Sequence, residues 1–220
     1  MSCTEGHTGA LGVFGGTFDP IHYGHLRLAE TAREALGLAG VRLIPAGQPP
    51  HRAAPGASGF HRLAMARLAT ADNPAFEVDS AEVDASQASY TILTLERLRA
   101  RVGKDRPLVL LLGVDAFLGL PGWLRWTELF DFAHLAVANR PGYSLDAAGL
   151  PAELATQLEH RQATPDALGT AAAGCIASFS MTPLAISATD IRSRAARGQS
   201  LRYLLPPPVL DYISRHQLYS

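Results

Sequence analysis

Apolar positions along the chain follow two rhythms. Compact apolar runs at Ala10–Phe14, Val41–Pro45, Leu108–Leu112, His134–Ala138 and Cys175–Phe179 read as strands. The unbroken apolarity of Leu108–Leu112 is that of a strand covered on both faces, as in a parallel sheet. Between the strands, apolar residues recur at helical spacing. One stripe carries His25, Leu28 or Ala29, Ala32 and Leu36. A second, behind a Ser58 cap, carries Phe60, Ala64, Leu68 and Ala71, and Asn73-Pro74 ends it. A third, behind a Ser89 cap, carries Leu95, Leu98 and Val102. Further helices are expected over Ala152–Glu159, from Ser187 to Gly198, and over Val209–Ile213 after Pro206–Pro208. Phe76–Val78 and Ala81–Val83 are short strand candidates. Strand, helix and strand over the first 45 residues predict a right-handed parallel crossover. The fold class is therefore α/β: a Rossmann-like, open, mainly parallel sheet with helices on both faces. Residues 1–8 are small and polar and are expected to be flexible. Residues 144–174 are the least specified and read as a connection or subdomain.

The 220 residues, 47% of them hydrophobic, suffice for one globular α/β domain with a full core. A net charge of −1 argues against a nucleic-acid surface, so any phosphate recognition must be local. Cys3 and Cys175 make neither a disulfide framework nor a metal spacing, which fits a reducing cytoplasm. The first residues lack the basic and apolar regions of a signal peptide, and no apolar run is long enough for a bilayer. Oligomeric state stays open, a homo-oligomer included.

The chemistry concentrates at Gly15-Gly16-Thr17-Phe18-Asp19-Pro20-Ile21-His22-Tyr23-Gly24-His25-Leu26. It follows the first strand and opens the first helix, where open α/β sheets bind nucleotides. Gly15 and Gly16 let backbone approach a ligand closely. Thr17 offers a hydroxyl and an amide, and Asp19-Pro20 forces a turn. His22 and His25, three apart, share a helical face, and Gly24 removes bulk where a phosphate chain could lie. A helix start with free N–H groups and two imidazoles makes a cradle for a polyphosphate. A two-histidine metal site is the rival, but it lacks a nearby Cys or Glu at ligand spacing.

Other candidates fall at strand ends. Gly113 and Asp115 follow the Leu108–Leu112 strand and suit a ribose; Asp115 could equally cap a helix. Arg140 follows His134–Ala138 and suits a phosphate, or is a surface arginine. His51 and Arg52, in the Ala46–Gly59 loop, could reach an anion or be solvated. Ser187 with Asp190 three on is a capping-box pattern. Thr189 and Arg192 share that helix start, suiting the outer phosphates of ATP.

The Gly-Gly-Thr-Phe-Asp-Pro turn with His-x-Gly-His resembles the nucleotidyltransferase signature. Its wording is most similar to the bacterial nicotinate-nucleotide adenylyltransferases. Ile186-Ser187-Ala188-Thr189-Asp190-Ile191-Arg192 resembles that family's Ile-Ser-Ser-Thr-x-x-Arg motif, with Ala188 in place of the middle Ser. The family's Val-x-x-Tyr-Ile…Leu-Tyr ending is also matched. Likeness from about Leu11 to Tyr219 implies a single nucleotidyltransferase domain over 9–220, with a helical part from about 187. It implies ATP and nicotinate mononucleotide as substrates and magnesium arriving with ATP. Gly15, Gly16, Thr17, Phe18, His22, His25, Gly113, Asp115, Ser187, Thr189 and Arg192 are then the expected ATP contacts, and His22, His25 and Arg192 the catalytic ones. His51, Arg52, Thr91, Trp123, Leu124 and Arg140 are the expected acceptor contacts. In that likeness Thr91 and the Leu124 N–H hold the nicotinate carboxylate and Trp123 stacks on the pyridine. By residue type alone, Thr91 is an ordinary first-turn residue and Trp123 a core candidate. A pantetheine-phosphate adenylyltransferase and a catalytically silent nucleotide sensor are the alternatives.

Overall fold

The computed structural model describes residues 9–49, 54–85, 87–139, 145, 147–182 and 184–220. Its strands are β1 (Leu11–Gly16), β2 (Gly40–Pro45), β3 (Phe76–Val78), β4 (Leu108–Gly113), β5 (His134–Asn139) and β6 (Ile176–Ser180). They form one sheet in the order β3-β2-β1-β4-β5-β6, and every neighbouring pair is parallel. The chain leaves β1 first toward β3 and then returns through β4 toward β6. The reversal opens a crevice beyond the carboxyl ends of β1 and β4, the place where such sheets take ligands.

The helices are α1 (Tyr23–Ala35), α2 (Gly59–Thr70), α3 (Ala81–Asp84), α4 (Thr91–Val102), α5 (Val114–Leu118), α6 (Leu129–Phe132), α7 (Ala152–Arg161), α8 (Ala188–Ala196) and α9 (Pro207–Arg215). Alternation along the strands splits the core in two. Phe14, Leu43, Val109, Leu111 and Ala136 pack against Ala29 and Ala32 of α1, Met65 and Ala66 of α2, Ile191 of α8 and Val209 and Ile213 of α9. Val13, Leu108, Leu110, Leu112 and Leu135 pack against Ile92, Leu95 and Leu98 of α4, Phe117 of α5, Phe130 of α6 and Leu154 and Leu158 of α7. Helices thus cover both faces, and no described helix is long and apolar enough to cross a membrane.

Several local expectations need correction. β1 continues through Gly15 and Gly16, which pair in register with Ile44 and Pro45, so the turn begins only at Thr17. Ala81–Val83 is not a strand but lies in α3, because the Asp79 carboxylate accepts the Ala81 N–H and bends the chain. Ser89 does not cap α4; Tyr90 holds that position, and the Ser89 hydroxyl accepts from the Gly47 and Gln48 amides instead. Ser58 does cap α2, but the buried face of that helix is Arg62, Leu63, Met65, Ala66 and Ala69. Phe60 is 70% exposed and Leu68 also faces solvent. Both stripes of α2 are apolar, and burial of Arg62 selects between them. Residues 1–8 lie outside the described residues.

Candidate active site

Phe18 shapes the turn after β1. Its backbone is left-handed, with φ 49°, and its ring is buried edge-on to Phe14 at 5.5 Å and to His25 at 5.1 Å. A Cβ at Gly16 would stand 2.8 Å from that ring, so only glycine fits beneath it. At Gly15 a Cβ would meet nothing within 4 Å, which marks the open crevice. The Asp19-Pro20 peptide is cis.

His22 is the N-cap of α1. Its Nδ1 accepts the Gly24 N–H at 3.1 Å, while His25 Nδ1 accepts the His22 N–H at 3.3 Å. The two imidazoles stack, centroids 3.8 Å apart and 28° from parallel. A ring accepting at Nδ1 carries its neutral-state proton on Nε2, so this reciprocal cap sets both tautomers. The expectation of free amides at this helix start fails. Tyr23 N–H goes to the Leu204 carbonyl, Gly24 N–H to His22, and His25 N–H to the His22 carbonyl. Gly24 makes room for the His22 ring, 2.9 Å from where its Cβ would stand, rather than for a ligand.

Burial lowers the pKa of His22 from 6.5 to about 4. The unfolded chain takes up that proton below pH 6.5, whereas the folded protein resists it until about pH 4. The stability is therefore whole above pH 6.5 and declines as pH falls through that window. Between pH 7 and 4.5 the wild type should lose about 2–3 kcal/mol more than His22→Asn, since each pKa unit is worth about 1.4 kcal/mol. Asn keeps the helix cap without the titration. Parallel urea-unfolding profiles of the two proteins would contradict this.

The second helix start arrives beside the first. Arg192 Nη1 donates to the Asp19 backbone carbonyl at 2.7 Å and lies 3.7 Å from its carboxylate. The Ile186 carbonyl sits 3.5 Å from the Cβ position of Gly24. Ser187 caps α8 by accepting the Asp190 N–H at 3.1 Å. Only half of the expected box forms there, because Asp190 pairs with Arg194. Arg192 Nη2 reaches Thr189 Oγ1 at 3.4 Å. Among the described residues, the Ala188 and Thr189 amides meet no acceptor. The open N–H groups thus belong to α8, not α1.

Three residues that motif reading missed hold this junction. The buried Asp19 carboxylate accepts the Gly56 N–H at 2.7 Å, the Ala57 N–H at 3.0 Å and the Tyr219 hydroxyl at 2.7 Å. Arg62, 1% exposed, donates to the carbonyls of Thr17, Ala46, Gly47 and Ala57. No sequence signal marked Arg62, since α2 also carries Arg67, which is exposed. Asp19 and Tyr219 stood within noticed motifs but carried no sign of contact with each other.

On the acceptor side, Thr91 is the first residue of α4 and Trp123 is half-buried against the α4 face of the core. Leu124 is 43% exposed. Arg125, left-handed with φ 51°, pairs with Glu96 of α4 at 2.8 Å and so fixes the Trp123–Leu124 turn to that helix. Asp115 lies exposed in the first turn of α5, whose N-cap is Gly113; the capping alternative for Asp115 is therefore wrong. His51, Arg52 and Arg140 lie outside the described residues. Among the described residues, no group of three or more His, Cys, Asp or Glu is placed to hold a metal ion.

The sequence profile of the Cytidylyltransferase-like family matches residues 13–194. A probable nicotinate-nucleotide adenylyltransferase of Dechloromonas aromatica is 54% identical over 210 residues, covering 95% of this chain and 97% of that protein. One from Aeromonas salmonicida is 50% identical over 209 residues, covering 95% and 96%. In fold, the chain is similar to Plasmodium falciparum nicotinic acid mononucleotide adenylyltransferase complexed with NaAD. There the TM-score is 0.71 at 14% identity, over 96% of this chain and 97% of that one.

Proposed function

The chain belongs to the cytidylyltransferase-like family, among its nicotinate-nucleotide adenylyltransferases, and from that premise we propose that it joins ATP to nicotinate mononucleotide. The 5′-phosphate oxygen of the mononucleotide attacks the α-phosphorus of ATP, the bond to the β-phosphate oxygen breaks, and pyrophosphate leaves. The product is deamido-NAD. The observation that carries this reading is the meeting of the His22–His25 stack with the α8 start at the sheet's crevice.

The attacking phosphate is already anionic, so no protein nucleophile is required. Positioning and charge stabilisation suffice. The Nε2–H groups of His22 and His25 donate to the α- and β-phosphate oxygens as charge shifts outward. Burial keeps His22 neutral at pH 7, so it serves as a fixed hydrogen-bond donor. Arg192, Thr189 and the open amides of α8 receive the outer phosphates. Ser187, its hydroxyl given to the cap, acts by shaping that helix start. Gly15, Gly16, Thr17 and Phe18 shape the crevice floor, and Gly113 and Asp115 meet the ribose. Magnesium bound to ATP would supply further charge neutralisation, held by the nucleotide rather than by a cluster of this chain's described residues. Thr91 and the Leu124 N–H hold the nicotinate carboxylate and Trp123 stacks on the pyridine ring; His51, Arg52 and Arg140 are the remaining acceptor contacts of this reading. A cytoplasmic setting fits this chemistry.

Donors facing a carboxylate also explain selection. An amide would set its NH₂ against a donor, losing about 1–3 kcal/mol per bond. Pyrophosphate release from ATP should therefore require an acceptor, and nicotinate mononucleotide should exceed nicotinamide mononucleotide about 10- to 100-fold in kcat/KM. Equal use would overturn the Thr91 and Leu124 assignment. Release only with phosphopantetheine would favour the pantetheine-phosphate alternative, and the absence of release with every acceptor tested would favour a sensor.

A further inference from the structure

Tyr219 and Asp19 are 200 residues apart in sequence and 2.7 Å apart in the structure. Nothing in the reaction above uses either. The segment that delivers Tyr219 is unusual: Gln217 and Tyr219, neither a glycine, both take left-handed backbone, with φ 50° and 64°. Such conformations persist only where the surroundings enforce them. Here the Leu218 N–H is held by the Ile213 carbonyl, and the Tyr219 ring lies against Gly56. A Cβ at Gly56 would stand 3.2 Å from both that ring and the Arg192 side chain. The backbone of residue 56 is thus wedged between Tyr219 and Arg192.

The Asp19 carboxylate has about four acceptor sites. Ala57 N–H and the Tyr219 hydroxyl fill Oδ1, and Gly56 N–H fills part of Oδ2. Arg192 stands at 3.7 Å, an ion-pair distance rather than a hydrogen bond, and spends one nitrogen on the Asp19 carbonyl. The phenol is an enduring donor, since burial and the carboxylate beside it push its pKa well above the usual value. With the hydroxyl gone, the carboxylate loses a donor, and the cation within ion-pair range of it among the described residues is the Arg192 guanidinium, 3.7 Å from Oδ2.

We propose that Tyr219 is a positioning residue: by satisfying Asp19, its hydroxyl keeps Arg192 from collapsing onto that carboxylate and leaves its guanidinium for the outer phosphates of ATP. This rests on the adenylyl-transfer reading. Tyr219→Phe keeps the ring against Gly56 and removes only the donor. Magnesium-ATP affinity, measured by calorimetry without acceptor, should weaken about tenfold in Tyr219→Phe. In an Arg192→Ala background the same change should cost less than about twofold, because its target is already absent. A merely structural tyrosine would weaken ATP equally in both backgrounds. That result, or an unchanged affinity in the Arg192 protein, overturns the proposal while leaving adenylyl transfer standing. A wild-type protein that binds no ATP overturns the adenylyl-transfer reading itself.

Discussion

His25→Ala should lower kcat about 10²–10³-fold, the usual cost of deleting one donor aimed at developing negative charge. ATP affinity should fall far less, by under about tenfold, because the α8 start, Arg192 and His22 remain to hold the ground-state phosphates. The helix itself survives, since His22 still accepts the Gly24 N–H. What is lost is the ring stacked 3.8 Å from His22 and the acceptor for the His22 N–H. Turnover and ATP binding must be measured separately. Unchanged kcat would remove His25 from the mechanism, and an equal loss in both would make it a binding residue only.

Arg62→Met should destabilise the protein by about 3–5 kcal/mol, more than one orphaned buried carbonyl costs and less than four would cost independently. The aliphatic stem is replaced almost in kind, so the loss is not one of packing. Four carbonyls, those of Thr17, Ala46, Gly47 and Ala57, lose their donor in a site nearly closed to water. Each buried orphan costs about 1–3 kcal/mol, and these four do not add independently. Arg62→Lys should recover only part, because an ammonium cannot span the fork that the guanidinium fills. A urea-unfolding loss below about 1 kcal/mol would mean that water takes over the carbonyls.

Arg62 also shows where sequence reading stops. The strands were legible because β4 and β5 bury nearly every side chain, and a short unbroken apolar run between polar turns suits a strand covered on both faces. The choice of face on α2 was not legible, since two apolar stripes compete and a charged residue marks the buried one. Ser89 looked like a cap by its place before a helix, yet its hydroxyl serves amides 41 and 42 residues away. In the site, His22, His25, Thr189 and Arg192 were readable as motifs, and the structure brings them together. The role of Asp19 was not, because a carboxylate in a turn reads as local chemistry. Its partners come from residues 56, 57, 192 and 219. Distance in sequence hides such a hub from any pattern with a fixed spacing.

The sheet is complete at Ser180, whereas the α8 half of the proposed phosphate cradle starts only at Ser187. A ribosome that has released the polypeptide as far as β6 therefore holds a molecule with both cores largely seeded and no full grip on ATP. On the proposed site, nucleotide stabilises the newborn domain in full by mass action only once the closing helices emerge. Up to that moment the early domain relies mainly on its own packing, and on this reading the cell's ATP pool should shift its survival chiefly after synthesis has passed α8.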